Sequence, residues 1–281
     1  MTISVTETFI KVEDGYKVWT KSIGGSSKNA RIPLLVLHGG PGMAHDYLDN
    51  LEALASDTQK VVFYDQLGCG RSDTPNDPRR WKVPRFVNEV DFVRYALHLD
   101  EVVILGQSWG GMLALEYFLT QPKGVRGGIL SNSLSSAPLM SAEIQRLLHE
   151  LLGAQSSPDE NTVMDFYSRH ILRLQPFPKK ILEKMEQPNQ VYETMWGKNE
   201  FTVTGNLKDW VRTSDLPRIK LPIQIISGEF DEATPTVNQV LKEGLSNSEW
   251  TLMPGCSHLP NLEKPEEFMT IIQRFLDRLN S

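Results

Sequence analysis

The sequence predicts an α/β protein, with a mostly parallel sheet covered by helices on both faces and a helical segment inserted late in the sheet. Three observations predict it. Short apolar runs at 33–37, 60–64, 101–105, 128–131 and 222–227 are continuous rather than alternating, as in strands buried on both faces. Stretches with helical apolar spacing separate most of them, so strand and helix alternate. From about Pro138 to Thr213 the strand rhythm stops and only helical spacing remains, punctuated by Pro176, Pro178 and Pro188. The expected division is a core over 1–134, a cap over 135–213 and the rest of the core over 214–281.

In chain order, residues 7–24 alternate apolar and polar positions around Asp14-Gly15, a hairpin signal. Gly24 to Asn29 reads as a loop. Pro33-Leu34-Leu35-Val36-Leu37 reads as a buried strand that ends in His38-Gly39-Gly40-Pro41-Gly42. Lys60-Val61-Val62-Phe63-Tyr64 is the next strand, followed by Asp65 to Asp73, rich in glycine. Phe86, Val87, Val90, Phe92, Val93, Ala96 and Leu97 give helical spacing over 85–99. In the inserted segment, helices are expected over Gln145–Leu152, near 160–173 and over 179–186. A helix near 236–245, a last strand at Glu249–Met253 and a closing helix over 264–280 complete the pattern.

Composition bounds the function classes. The 281 residues are 40% hydrophobic, enough for a sizeable core. The net charge is −6 without a basic block, which argues against nucleic acid as a partner. No apolar run approaches a membrane span, and Met1 to Glu7 lacks the layout of a signal peptide. Two cysteines, Cys69 and Cys256, are too few for a disulfide scaffold, so a reducing, cytoplasmic setting is expected.

The chemistry is expected at Gly106-Gln107-Ser108-Trp109-Gly110, which fits G-x-S-x-G. The apolar run 101–105 precedes it, and 111–119 reads as a helix with a broad apolar face. A strand turning sharply into a helix at serine is a nucleophile elbow. The turn strains the serine backbone, Gly106 and Gly110 clear space, and Gly111 lets helix and strand approach. A serine hydroxyl needs a base and an orienting acid. Of six histidines, His38 lies in a glycine-rich loop, His45 just after it, and His98, His149 and His170 on expected helices. Only His258 follows the last strand. Asp231 follows the strand before it, with Glu229 and Glu232 as competitors for the same role. The order Ser108, Asp231, His258 is that of α/β-hydrolases. The loop 38–42 suits an oxyanion hole: Trp109 supplies one backbone N–H and Gly40 the other, because Pro41 has none. No phosphate-binding G-x-x-x-x-G-K-[ST] pattern is present.

The segments HGGPGMAHDY (38–47), YDQLGCGRSD (64–73), GQSWGG (106–111), GEFDEATP (228–235) and GCSH (255–258) resemble the proline iminopeptidase family of α/β-hydrolases. The resemblance spans essentially the whole chain. It implies cleavage of an N-terminal residue, often proline, from short peptides or amino-acid amides with a free N-terminus, without metal or cofactor. Leu67 stands where many members carry arginine, which places the likeness nearer the branch with the tricorn-interacting aminopeptidase, a branch that accepts residues besides proline. The family holds the substrate amine with carboxylates. By position these are Glu232, directly after the expected acid, and Glu200, in Asn199-Glu200-Phe201-Thr202-Val203-Thr204-Gly205. An exopeptidase must count from the chain end, and an ammonium clamped by carboxylates does so. The alternatives are an amidase or esterase with the same triad, and a small-molecule receptor on a hydrolase scaffold.

Overall fold

A computed structural model describes residues 3–153, 158–185 and 189–281. The end of the helix expected over 179–186, the expected break at Pro188, and Met1 and Thr2 lie outside the described residues.

Each apolar run becomes a strand. The first hairpin pairs β1 (Val5–Lys11) antiparallel with β2 (Lys17–Ile23), Phe9 opposite Trp19. Asp14 and Gly15 take positive φ of 59° and 79° in the connecting turn, a conformation that aspartate and glycine tolerate. The central strands β3 (Leu34–Leu37), β4 (Val61–Tyr64), β5 (Val102–Gln107) and β6 (Val125–Ser131) are buried almost throughout. β7 (Ile223–Gly228) and β8 (Ser248–Met253) follow the inserted segment. The eight strands run in the order β1-β2-β4-β3-β5-β6-β7-β8, with β1, β2 and β4 paired antiparallel and the remaining pairs parallel.

The strand order places the site. β3 pairs with β5, Leu37 opposite Gly106, yet the chain leaves β3 toward β4 on one side and β5 toward β6 on the other. Such a reversal opens a crevice beyond the carboxyl ends of the two strands. The loop 38–42 and Ser108 flank it.

Helices cover both faces. α1 (Val83–Ala96) packs on α2 (Trp109–Leu119), which is buried on nearly every side. α7 (Pro235–Gly244) follows the Asp231 loop, and the one-turn α8 (Pro260–Glu263) leads into α9 (Pro265–Leu279). α9 buries Phe268, Ile272, Phe275 and Leu276, one stripe at helical spacing, against β6 and the segment His45–Leu54. That segment is a ten-residue 3-10 helix burying Tyr47, Leu48, Leu51 and Leu54, an element with no counterpart among the expected ones.

Between β6 and β7 the chain is helical, as its spacing indicates. α3 (Ala137–Leu152) starts eight residues before the helix expected at Gln145, because Ser136 caps it by accepting from the Leu139 N–H. α4 (Glu160–Phe166), capped by Asp159, runs into a π-turn over Tyr167–Ile171. α5 (Lys179–Met185) and α6 (Gln190–Met195) follow; α6 was not expected and is capped by the Asn189 side chain. His98 sits just beyond α1 in a turn with φ 52°, not on the helix. Among the described residues no helix is long and apolar enough to cross a membrane.

Candidate active site

Ser108 joins β5 to α2 with φ 54° and ψ −121°, a strained combination for a residue with a side chain. The glycines around it are required by contact. A Cβ on Gly106 would meet the Gly110 carbonyl oxygen at 2.2 Å, one on Gly110 the Leu37 oxygen at 2.0 Å, and one on Gly111 the Ser133 hydroxyl at 2.3 Å. The sharp turn therefore exists because no side chain stands in its way. It leaves Ser108 at the N-terminus of α2, facing a cavity.

His258 and Asp231 stand beyond β8 and β7. His258 Nδ1 lies 2.7 Å from Asp231 Oδ1, leaving Nε2 turned toward the cavity that Ser108 also lines. Asp231 is fully buried and its acceptors are filled: Oδ1 also takes the Ala233 N–H at 2.9 Å, and Oδ2 takes Asn132 Nδ2 at 2.7 Å. Asn132 follows β6 with φ 51° and also donates to the Ser257 carbonyl at 3.0 Å, so one side chain ties the acid loop to the histidine loop. Burial opposes a charge on His258, but the Asp231 carboxylate outweighs it and the imidazole pKa lies above its ordinary value. Of the competitors for the acid position, Glu229 is exposed and accepts from the Gly255 N–H. Glu232 stands on the other side of the imidazole, with Oε1 3.8 Å from His258 Nε2. Asp231 is thus the carboxylate bonded to His258 Nδ1.

Gly40 lines the same cavity, with φ 115° that only glycine adopts freely. The N–H groups of Gly40 and Trp109 make no hydrogen bond among the described residues. The Trp109 indole is fixed by Gln66 Oε1 at 2.8 Å, and Gln66 Nε2 donates to the His38 carbonyl at 2.9 Å. The loops 38–42 and 65–73 and the elbow are thereby one bonded unit. Asp65 holds its own loop, accepting from the His45 N–H at 3.0 Å, His45 Nδ1 at 2.7 Å and the Arg71 N–H at 2.8 Å.

The inserted segment closes the cavity, whose volume is about 330 Å³. In the turn after α6, Asn199 Oδ1 accepts the N–H groups of Phe201 and Thr202, and this presents Glu200 inward. Tyr192 donates to Glu200 Oε2 at 2.5 Å. Glu232 is buried, and its Oε2 has no hydrogen-bond partner among the described residues. No lysine or arginine pairs with either carboxylate among the described residues. Burial raises the Glu200 pKa despite the bond from Tyr192; burial, then repulsion from Glu200 and Asp231, raises that of Glu232 well above the ordinary range. Two carboxyl groups starved of a cation thus flank Ser108 and His258. Behind them Trp109, Met112, Leu134, Met140 and Trp196 line a small apolar recess of about 10 Å³. The π-turn joins this side to the core: the His170 carbonyl accepts the N–H groups of both Glu232, at 3.3 Å, and His258, at 3.2 Å.

Of the seven residues singled out in the sequence, Gly40, Ser108, Glu200, Glu232 and His258 line one cavity, Trp109 lines the recess beside it, and Asp231 stands behind His258 in the core. Sequence alone assigns no role to Asn132, Tyr47, Gln66 or His170, and Gln107 enters only as a letter of the motif. Tyr47, Gln66 and Gln107 lie inside the segments that carry the resemblance, but the resemblance as read from the sequence gives them no role, and Asn132 and His170 lie outside those segments. Among the described residues, no group of three or more His, Cys, Asp or Glu side chains stands where it could hold a metal ion.

The sequence profile of the α/β hydrolase fold matches residues 32–265. A proline iminopeptidase of Lactobacillus helveticus is 36% identical over 282 residues, covering 94% of this chain and 95% of its own. One from Heyndrickxia coagulans is 37% identical, covering 98% and 99%. The crystal structure of the proline iminopeptidase of Mycobacterium smegmatis superimposes with a TM-score of 0.88 at 36% identity, over 98% of this chain and 99% of the other. The chain belongs to the proline iminopeptidase family of α/β-hydrolases and is a serine hydrolase of the prolyl-aminopeptidase type.

Proposed function

We propose that the protein is an exopeptidase that releases an N-terminal proline, or another small apolar residue, from short peptides through an acyl-enzyme. Ser108 Oγ attacks the first carbonyl while His258 Nε2 takes its proton. Asp231 holds the tautomer and offsets the imidazolium charge. The N–H groups of Gly40 and Trp109 receive the oxyanion. His258 then protonates the departing amine, leaving the first residue esterified to Ser108. A water molecule, deprotonated by His258, attacks that ester and frees the amino acid.

The observation that carries this reading is the Glu200–Glu232 pair, two carboxyl groups beside the nucleophile that no lysine or arginine among the described residues neutralises. The α-amino group of a peptide is largely cationic at neutral pH and supplies the missing charge. Its ammonium sits on the same residue as the attacked carbonyl, one Cα away, so the pair limits cleavage to the chain end. The cavity of about 330 Å³ beside Ser108, walled partly by Tyr47, Tyr167 and Ile171, has room for a proline ring or a small side chain. Turnover of proline anilide and N-acetyl-proline anilide tests the reading. Acetylation removes the charge, and kcat/KM is expected to fall by about thirty- to several-thousand-fold, the worth of one buried charge partner. Equal values would leave an esterase or amidase that ignores the amine. A chain that turned over neither ester nor anilide and resisted fluorophosphonate at Ser108 would be a receptor.

A further inference from the structure

We propose that His38 and Tyr47 are positioning residues that aim the Gly40 N–H at the oxyanion by gripping Gly39 from both sides, and that Gln107 couples this grip to His258. The inference rests on the reading of Ser108 and Gly40 above.

The Gly40 N–H and the Gly39 carbonyl belong to one planar peptide unit, in which they point in opposite directions. Fixing the carbonyl therefore fixes the N–H. His38 Nδ1 lies 2.9 Å from that carbonyl oxygen. His38 Nε2 accepts the Gln66 backbone N–H at 3.0 Å, so the ring proton is on Nδ1 and His38 is the donor. Burial holds the His38 pKa down at about 4, so the neutral ring is the form present at neutral pH. A hydrogen bond to the carbonyl also polarises the peptide and strengthens its N–H as a donor.

The neighbouring peptide unit is held from the other side. The Gly39 N–H donates to the Tyr47 hydroxyl oxygen at 2.7 Å, and that hydroxyl donates to Gln107 Oε1 at 2.6 Å. Gln107 Nε2 donates to the His258 carbonyl at 3.2 Å. The path runs from the oxyanion loop, past the residue before the nucleophile, to the catalytic base. It also explains why residue 39 is glycine at an ordinary φ: a Cβ there would stand 2.5 Å from Gln107 Oε1 and 2.9 Å from the Tyr47 hydroxyl. The gripping atoms fill the place of a side chain.

His38 lies outside the cavity; Tyr47 lines it, but Tyr47→Phe keeps the ring and removes only the hydroxyl bonded to Gly39 and Gln107, so loss of these hydrogen bonds is expected to act on the transition state and leave ground-state binding alone. The variants are His38→Leu, His38→Asn and Tyr47→Phe, each checked for folding by thermal melt. The measurements are kcat and KM for proline anilide, and affinity for a proline boronic acid, whose tetrahedral adduct needs the oxyanion donors, against affinity for free proline. His38→Leu and Tyr47→Phe are expected to lower kcat and boronate affinity about ten- to a hundredfold, short of the full loss of an oxyanion donor. KM and proline affinity should stay within about threefold. His38→Asn, whose Nδ2–H stands near the place of Nδ1–H, should recover most of the kcat. Folded variants with wild-type kcat, or with boronate and proline affinities falling together, would overturn the inference. If His38→Leu does not fold, Tyr47→Phe decides alone. Loss of activity in Ser108→Ala with unchanged kcat in these variants would sink only the positioning role; an active Ser108→Ala would sink the reading beneath it.

Discussion

Two neighbouring carboxylates on one loop meet opposite surroundings. Asp231 faces the core, where His258, the Ala233 N–H and Asn132 fill its acceptor sites. Glu232, one residue on, faces the cavity under the helical segment, with one oxygen unpartnered and Glu200 as a second carboxyl neighbour. The core side is complete within the protein. The cavity side is not, and under the proposed function the substrate ammonium completes it. A satisfied buried carboxylate orients a neighbour, whereas an unsatisfied one is a binding site that carries a cost in the free protein.

The largest expected effect breaks the core side. Ser108→Ala and Asp231→Asn should each lower kcat by roughly ten-thousandfold or more, the second by stabilising the wrong His258 tautomer. Assays with proline anilide check this, and a near-normal Asp231→Asn would remove the acid from the scheme. Breaking the cavity side should be milder and selective. Glu232→Gln and Glu200→Gln are expected to lower kcat/KM for free-amine substrates by about thirty- to several-thousand-fold. Fluorophosphonate should still label Ser108 in both variants, since the triad is untouched. If labelling disappears as well, the two sides are not separable.

The contrast also has a stability signature. The folded protein holds the Glu232 proton more tightly than the unfolded chain does, since burial, Glu200 and Asp231 all raise its pKa. Its contribution to stability is therefore fully present below the ordinary carboxylate pKa and is lost as pH rises through the folded value. Glutamine has no such loss. Glu232→Gln should melt above the wild type near neutral pH, by about 2–4 °C for each kcal/mol relieved, and the gap should close below about pH 4. Melting curves across pH would show it; a destabilised Glu232→Gln at pH 7 would mean that an unseen partner already neutralises the group. The smallest effect is expected at Cys256, two residues before His258. Burial, with Glu263 nearby, pushes its thiol up to about 12, so it is protonated and unreactive as a nucleophile. Cys256→Ser should keep kcat within about twofold, because serine is close in size to cysteine and its hydroxyl can donate where the thiol does. A folded but inactive Cys256→Ser would show a chemical role for the thiol.

Most of the sheet was legible in the sequence because strands buried on both faces are continuous apolar runs with little else they can be. The ends of the helical segment were less so. Ser136 moved the start of α3 eight residues forward, and the short α6 has too few residues to show a period. Ser108, Asp231 and His258 could be picked out because each follows a strand end, and strand ends converge in a parallel sheet. Glu200 is singled out only by likeness to a family, and its place beside the cavity depends on a turn fixed by Asn199 in a segment with no strand to locate it.

The sequence by itself determined the elbow. Small residues around Ser108, an apolar run before it and an apolar helix after it leave the chain one local solution, set by hard contacts between near neighbours. It also set the order Ser108, Asp231, His258 along the chain, each after a strand end. Only the tertiary structure decided which of Glu229, Asp231 and Glu232 meets His258, that Asn132 joins the acid loop to the histidine loop, and that Tyr47 and His38 grip Gly39. The bonds of Asp231 with His258, of Asn132 with Asp231 across 99 positions and of Tyr47 with Gln107 join residues brought together by the strand order, and the His38 ring that bonds its neighbour Gly39 is itself oriented by Gln66. Local sequence sets backbone conformation through sterics, whereas a directional contact between distant groups exists only once the sheet has fixed where both ends stand.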